Sequence, residues 1–468
     1  MTCASFRRAD RAIREECFSR VAQKQFASPN RYGILEQPLH AIECIWPAGC
    51  FLSYSLFDDI ENMASHGSGM NHIRQKSQTP TKSARRLTIV FLCGSLEPGR
   101  DGVGDYTRRL AAECIRQGHD ALVIALCDRE DPLFSDSKCE IEKHQSDQGT
   151  AVRCVRWSRN DGWARKTRRL AQILRQESPD VISIQFVPYS FNARGLPFQF
   201  LRCFWKCRAV VGGRWHIMFH ELWIGPQEGK PLSSRVISRL QRSVVRQLRL
   251  CDVVHTHLPV YREALAQCGI NASPLPLFSN IARSTQFVGN RAINGVVNIG
   301  FFSQQDPVAE VRDWIVTFTE DAEKGGSSVC LHLAGARGSA AESYWRKSLA
   351  GKAEVAVHGW MVPEELSVYL RSMDLGITTV PRHAIGKSGS VAAFFEHGTP
   401  VAAPVTSVAH PHTGLFIERE HKMVLNSFAD LKKFERRPSE EPTKLTSICH
   451  EFLNSMYIAS SQHIRQPF

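Results

Sequence analysis

The sequence contains no apolar stretch near the ~20 residues that a membrane-spanning helix needs, so an integral helical membrane protein is excluded. It has no Cys-x-x-Cys pair among its 15 cysteines, and their placement does not suggest a disulfide framework. Cys93, Cys127 and Cys330 fall inside apolar, strand-like runs, where a reduced thiol behaves as a small hydrophobe. Cys203 and Cys207 are spaced for one helix face. The odd count, with no basic-then-apolar leader, predicts a reducing cytoplasmic environment. Acidic residues are the scarcer charge: 46 Asp and Glu against 58 Lys and Arg leave a formal charge of +12. Such an excess favours polyanions such as nucleic acid, anionic headgroups or phosphorylated substrates. Much of it is spread as short pairs (Arg108-Arg109, Arg168-Arg169, Lys432-Lys433), which favours the plainer reading of a solvated basic surface. No nucleic-acid-binding motif accompanies the charge.

What is present is ordinary globular chain, 43% hydrophobic and 22% charged, and its 468 residues imply two domains. Residues 1–84 stand apart by composition. Only Ala41 to Leu56 is apolar enough to bury, and Ser65 to Arg86 reads as a polar linker. These residues are expected to be a poorly structured N-terminal extension, either genuine or the product of a start misassigned upstream of Met63 or Met70.

From Arg86 onward the pattern is regular. Leu87 to Cys93 reads as a strand, Asp105 to Gln117 as a helix closed by Gly118, and Ala121 to Leu126 as the next strand. Trp163 to Gln176 is a helix, Val181 to Phe186 a strand, and Ile217 to Phe219 another strand. Ser233 to Arg249 is a helix and Val253 to Thr256 a strand. After a polar, aperiodic stretch at Asn280 to Gly295, read as the interdomain linker, a second series begins with the strand Val296 to Phe302. It continues through helices at Val308 to Glu323, Ala340 to Ala350, Pro363 to Ser372 and Ser388 to His397. Its strands are Val329 to Ala334, Val355 to Val357, Leu375 to Thr379 and Val401 to Ala403. Terminal helices follow between Leu431 and Ser461. Alternating strands and helices imply parallel sheets covered on both faces. The expected domains are 85–285 on the acceptor side, 290–425 on the nucleotide side, and C-terminal helices at 426–468. Ligands of such sheets bind outside the carboxyl ends of the strands.

Three segments carry candidate chemistry. After the first strand, a loop with Gly99, Gly102 and Gly104 leads to a helix start at Asp105 or Tyr106. Glycines let the backbone approach a ligand, and helix-start amides attract anions. A dinucleotide fingerprint fails because Thr107 stands where the third glycine belongs, and a P-loop lysine is absent. The second segment is His216 to Trp223, with His216, His220 and Glu221. Residues four apart on a strand lie ~13 Å apart, which disfavours a metal site, and none is expected. For His255 and His257, burial beside a strand end is the simpler account. In the third segment, Gly386, Lys387, Ser388, Gly389 and Ser390 open a helix that ends at Gly398-Thr399-Pro400-Val401. Its first amides, two hydroxyls and an ammonium suit a diphosphate. Plain N-capping by Ser388 or Ser390 is the competing reading.

These segments resemble the bacterial family 4 glycosyltransferases. The likeness is carried by Gly94-Ser95, Glu97-Pro98-Gly99, Gly102 to Thr107 and Leu110-Ala111, by His220, by His358-Gly359-Trp360, and by Lys387 to Val401. It covers roughly residues 86–425. It implies the GT-B architecture, an α/β fold of two Rossmann-like doubly wound domains facing across a cleft. It also implies transfer of a sugar, with retention and without metal or cofactor, from a nucleoside-diphosphate donor to an acceptor hydroxyl. The acceptor is expected to be a saccharide or lipid-linked, as in polysaccharide biosynthesis, with peripheral contact at the inner membrane face and no nucleic-acid partner. His220 and Lys387 take the catalytic roles. Gly386, Ser388, Gly389, Ser390 and Gly359 hold the donor, and Gly102, Val103, Gly104 and Asp105 form a loop at the acceptor side of the cleft. One departure matters. Family members commonly carry two glutamates eight positions apart, the second five residues before the helix-ending glycine. Ile385 and Ala393 occupy those positions here, and Glu396 lies elsewhere on the helix. The family's early Arg and Lys pair is also not evident after Phe302. A non-catalytic GT-B relative and a GT-B sugar-nucleotide epimerase are therefore the alternative readings.

Overall fold

A computed structural model describes residues 85–97, 101–128, 142–145, 149–224, 232–283, 295–302, 308–335, 339–408, 410–435 and 444–463. The expectations for residues 1–84, for Pro98 and Gly99, and for most of the linker fall outside the described residues. The chain divides into two units, Met1–Pro80 and Thr81–Phe468, and both sheets belong to the second.

The first sheet and its helices comprise β1 (Thr88–Cys93), α1 (Gly102–Arg116), β2 (Asp120–Asp128), β3 (Glu142–Gln145), β4 (Ala151–Ser158), α2 (Trp163–Glu177), β5 (Val181–Phe186), α3 (Pro188–Phe191), α4 (Phe198–Arg208), β6 (Arg214–Phe219), α5 (Leu232–Gln247), β7 (Val253–Thr256), α6 (Pro259–Ala266) and β8 (Ser273–Pro274). The second group holds β9 (Val296–Phe302), α7 (Ala309–Lys324), β10 (Ser328–Ala334), α8 (Ser339–Ser348), β11 (Glu354–Gly359), α9 (Pro363–Ser372), β12 (Leu375–Ile377), a 3-10 turn (Arg382–Lys387), α10 (Gly389–Glu396), β13 (Val401–Ala402), α11 (Glu418–His421), β14 (Val424–Leu425) and α12 (Phe428–Lys433). A terminal helix, α13 (Lys444–His463), closes the chain.

The strands of the first sheet run in the order β3-β4-β2-β1-β5-β6-β7-β8, parallel throughout except for the antiparallel edge strand β3. The second sheet, β11-β10-β9-β12-β13-β14, is parallel. In each, the strand order reverses about the first strand, between β1 and β5 and between β9 and β12. Such a switch point leaves a crevice at the carboxyl ends. Burial on both faces explains the unbroken apolar runs: all six residues of β5 are buried, as expected where helices cover a parallel sheet on both sides.

The first sheet separates two cores. One packs β-strand residues such as Val90, Ile184 and Ile217 against α2 and α4 through Leu170, Phe200 and Phe204. The other packs Phe91 and Val123 against α1 and against Leu445, Cys449, Phe452 and Met456 of α13. The terminal helix thus returns to the first sheet after the chain has completed the second. Phe91 and Phe452 stack at 5.8 Å between ring centres, and the Cys114 and Cys449 thiols meet at 3.6 Å. All the cysteines that lie in strands or in α4 are buried and unbridged, as small hydrophobes.

Two sequence readings need correction. Gly102 to Asp105 is no loop; it is the first turn of α1. Asp101 is the N-cap, its carboxylate accepting from the amides of Val103 at 3.0 Å and Gly104 at 2.9 Å. An aspartate before a helix start is a strong capping signal, and here it outweighs the glycine pair. Leu375 to Thr379 is also shorter than expected, since pairing ends at Ile377. The strand β4 has no counterpart among the elements expected from the sequence, and α4 is anticipated only in the helix-face spacing of Cys203 and Cys207.

Candidate functional site

The carboxyl ends of the two sheets meet where β6 and β7 face the turn before α10. Gly386 in that turn packs too tightly against Gly414 of its own half for a side chain, and less tightly against the first half. A Cβ added at Gly386 would lie 2.3 Å from the Gly414 carbonyl oxygen and 3.1 Å from that of His257. The segment leading out of the first sheet is tied to α10, because the Ser279 amide donates to Glu396 Oε2 at 2.9 Å. It is also tied to α1, where the Asn280 side-chain amide donates to the Gly102 carbonyl at 3.0 Å.

His220 follows β6 directly and is 5% exposed. Its Nε2 lies 2.8 Å from Gln185 Oε1 on β5. The Gln185 amide nitrogen donates to Ser183 Oγ at 2.8 Å. Ser183 Oγ meets His216 Nδ1 at 2.8 Å, and His216 Nε2 meets His255 Nδ1 at 2.9 Å. The glutamine fixes its own two contacts: its oxygen must accept, so His220 carries its proton on Nε2, and its nitrogen must donate, so Ser183 Oγ accepts there. Burial lowers the His220 pKa to about 3 and that of His255 to about 4. It drives His216 well below its ordinary range, with the neighbouring histidines adding to the effect. His220 is therefore a neutral imidazole whose Nδ1 is an acceptor. Around it, the Tyr106 ring packs edge-on at 5.0 Å and the His257 ring lies 5.5 Å away. Of the pair that invited a metal reading, both ring nitrogens of His216 and Nε2 of His220 are bound, to Ser183, His255 and Gln185. Among the described residues no group of three or more His, Cys, Asp or Glu could hold a metal ion.

Lys387 comes from the opposite side. Its ammonium lies 4.0 Å from Glu221 Oε1, with both side chains partly exposed. This pair bridges the 3-10 turn and the residue after His220. Its stabilising value is small, since half-exposed pairs contribute about 0–1 kcal/mol. Ser388 is the N-cap of α10, its Oγ accepting from the Val391 amide at 3.3 Å and lying 3.0 Å from Ser390 Oγ. The capping reading is thus realised at Ser388. A Cβ at Gly389 would meet nothing within 4 Å, so the helix start is open there.

Other expected site residues lie farther off. Gly359 ends the edge strand β11 with φ at +66°, a conformation that favours glycine. The strands β10 and β9 separate it from β12, about 14 Å across the sheet. In α1, Asp105 is paired with Arg108. A Cβ at Gly104 would come within 2.5 Å of the Ser95 carbonyl oxygen, so this glycine serves the packing of α1 on the loop after β1. Ile385 and Ala393, where the family's acid pair would stand, are buried at 0% and 1% exposure in an apolar cluster. The half-buried Glu396 carboxyl is spent on the linker, and desolvation raises its pKa.

The sequence gives His255 and His257 the same reading, and the structure parts them. His255 is satisfied through His216. His257 is 2% exposed with no hydrogen-bond partner on either ring nitrogen. The sequence carries no signal for this difference beyond the position of His257 just past the last pairing residue of β7.

Residues 101–280 match the family model of the glycosyl transferase 4-like domain. No curated protein gives a significant sequence match. Among solved structures, a sucrose-phosphate synthase from Thermosynechococcus elongatus is similar with a TM-score of 0.45 at 14% identity, covering 68% of this chain and 81% of the other. An alpha,alpha-trehalose 6-phosphate synthase from Burkholderia multivorans gives 0.48 at 11% identity, covering 82% and 99%. A putative UDP-N-acetylglucosamine 2-epimerase from Listeria monocytogenes gives 0.45 at 11%, covering 81% and 98%. Residues 101–280, most of the first αβ half, are thus similar to the glycosyl transferase 4-like domain, and the second half is a further parallel αβ sheet.

Proposed function

We propose that the protein transfers a sugar from a nucleoside-diphosphate donor to an acceptor hydroxyl, with retention at the anomeric carbon and without a bound metal. The observation that carries this reading is the approach of Lys387, at the start of α10, to the His220–Glu221 turn of the first sheet. When the glycosidic bond breaks, negative charge develops on the leaving diphosphate. An ammonium beside the first amides of a helix is suited to stabilise it. Ser388, Gly389 and Ser390 supply those amides and two hydroxyls, and Gly386 allows the close backbone approach. His220 is neutral, so it acts by hydrogen bonding at Nδ1 and not by charge. A base held near Gly359 at the far strand would leave the diphosphate to reach back to α10. The acceptor side falls to the first sheet, with a saccharide or lipid-linked hydroxyl as the substrate. No described helix is long and apolar enough to cross a membrane, so contact with a membrane-borne acceptor at the inner face would be peripheral.

The test is release of nucleoside diphosphate from UDP-, GDP- and ADP-sugars, in wild type and in Lys387→Ala. Turnover of one donor, reduced about 100-fold in the variant, is expected, since removing one such electrostatic contact typically costs that much. Equal turnover by a folded Lys387→Ala protein would remove the lysine from the mechanism.

A second reading, a GT-B relative that binds nucleotide without chemistry, is favoured by the apolar burial of Ile385 and Ala393. Nucleotide binding without turnover of any donor would select it. Turnover without acceptor that yields nucleotide and a sugar inverted at a ring carbon would select the epimerase alternative.

A further inference from the structure

Among the described residues, His257 is the side chain with two buried polar atoms that nothing in the protein satisfies. Its ring is 2% exposed, and both Nδ1 and Nε2 lack a partner. Leaving a buried donor or acceptor unpaired costs about 1–3 kcal/mol, so an imidazole with two such atoms is retained at a loss to stability. The ring sits between His220, at 5.5 Å, and Tyr261, at 6.0 Å. It lines a cavity with Gly386, Ser388, Leu415 and Phe416, so it faces the turn that carries Lys387. The cavity, of about 10 Å³, has room for about one water. One water reaches one ring nitrogen and not both, because the two point away from each other. Burial and the nearness of His220 and Lys387 hold His257 well below its ordinary pKa. As a neutral ring it offers one donor and one acceptor.

We infer that His257 contacts the ligand of this cleft and takes a hydroxyl of the sugar carried by the donor, admitted when the two sheets part at the Gly386–His257 contact. This rests on the transferase reading above. The choice of a hydroxyl follows from chemistry. With one nitrogen served by that water, a phosphate, which only accepts, could serve the other only if it is the N–H. A hydroxyl donates as well as accepts, so it can pair with either nitrogen of a neutral imidazole. Lys387 provides for the phosphates separately, and His257 therefore discriminates among sugars and not among nucleotides.

The experiment compares wild type, His257→Leu and His257→Gln by calorimetric titration with three pairs of probes: UDP and UDP-glucose, GDP and GDP-mannose, ADP and ADP-glucose. Thermal melts of the ligand-free proteins accompany it. In the pair that wild type binds, His257→Leu should lose about tenfold in affinity for the nucleotide sugar while its affinity for the free diphosphate is unchanged. His257→Gln, which keeps a donor and an acceptor, should recover part of the loss. The ligand-free His257→Leu protein should melt at or above the wild-type temperature, because an unpaired polar ring has been replaced by an apolar side chain. Nucleotide-sugar affinity equal to wild type in both variants overturns the inference and leaves the transferase reading standing. So does a lower melting temperature for His257→Leu with unchanged binding, which would make the ring structural. Failure of wild type to bind any of the six probes overturns the transferase reading and the sugar role with it.

Discussion

Gln185 Oε1 accepts from His220 Nε2 at 2.8 Å, and this one contact determines which nitrogen of His220 carries the proton. Glutamine has a fixed polarity, so the tautomer is set by β5 and not by the ligand. Replacing Gln185 with Leu removes the acceptor and leaves Ser183 and His220 each short of a partner. Turnover should fall about 10–100-fold, the usual cost of removing the group that orients a functional histidine. Gln185→Glu offers a more informative change. A carboxylate facing Nε2 favours the imidazolium and raises the His220 pKa from about 3. The rate profile between pH 5 and 8 should then gain a limb that wild type lacks. Identical profiles would show that Gln185 does not govern His220.

The buried histidines also make stability depend on pH, and the sign is fixed. His220 and His255 have folded pKa values of about 3 and about 4, below the unfolded value of about 6.5. Between these limits the unfolded chain binds more protons, so stability is fully present above about pH 6.5 and is lost as pH falls. At pH 5 each of the two should cost about 2 kcal/mol relative to pH 7.5. Glu396, whose pKa is raised by burial, contributes in the opposite sense, its stabilisation fading as pH rises through its folded value. Urea titrations at pH 7.5 and pH 5 should therefore give a clear net loss at the lower pH; equal midpoints would contradict the neutral histidine chain.

Two glycines of the first turn of α1 separate packing from propensity. The Gly104 position has a carbonyl oxygen 2.5 Å from where a Cβ would stand, whereas Gly102 has nothing within 4 Å. Gly104→Ala should destabilise by about 1–3 kcal/mol and shift α1 relative to the loop after β1. Gly102→Ala should lie within about 0.5 kcal/mol of wild type. Chemical denaturation of the pair measures both, and similar effects at the two sites would mean the close approach is not maintained in solution.

The terminal helix offers a test of the chain's return to the first sheet. Phe452 is fully buried between Phe91 and His216. Phe452→Ala should cost about 3–5 kcal/mol and, since His216 belongs to the hydrogen-bonded chain, should disturb it as well. A loss below about 1 kcal/mol would place the helix outside the core.

The repeating units are legible in the sequence where the pattern is strong and local. Val181 to Phe186, Val253 to Thr256, Val296 to Phe302 and Pro363 to Ser372 coincide with β5, β7, β9 and α9, because apolar runs of β-formers and a proline at a helix start leave little choice of structure. The misses have physical causes. In β4, buried residues are interrupted by Arg153 and Arg156, whose charges pair with Glu177 and Asp128 and so break the apolar run. In α4, an aromatic-rich stretch hides the helix bounds, and only the spacing of Cys203 and Cys207 shows the period. Gly102 to Asp105 reads as loop because glycine density masks the Asp101 cap. The return of α13 and the split between His255 and His257 depend on contacts distant in sequence, which local pattern does not encode.

The most direct test of a donor site at the start of α10 is calorimetric titration of UDP, GDP, ADP and CMP into wild type and Lys387→Ala. One diphosphate should bind wild type, and the variant should bind it about 10–100-fold more weakly, the cost of one hydrogen bond to a charged group. Binding of none of the four, or binding that is indifferent to Lys387, would contradict that site.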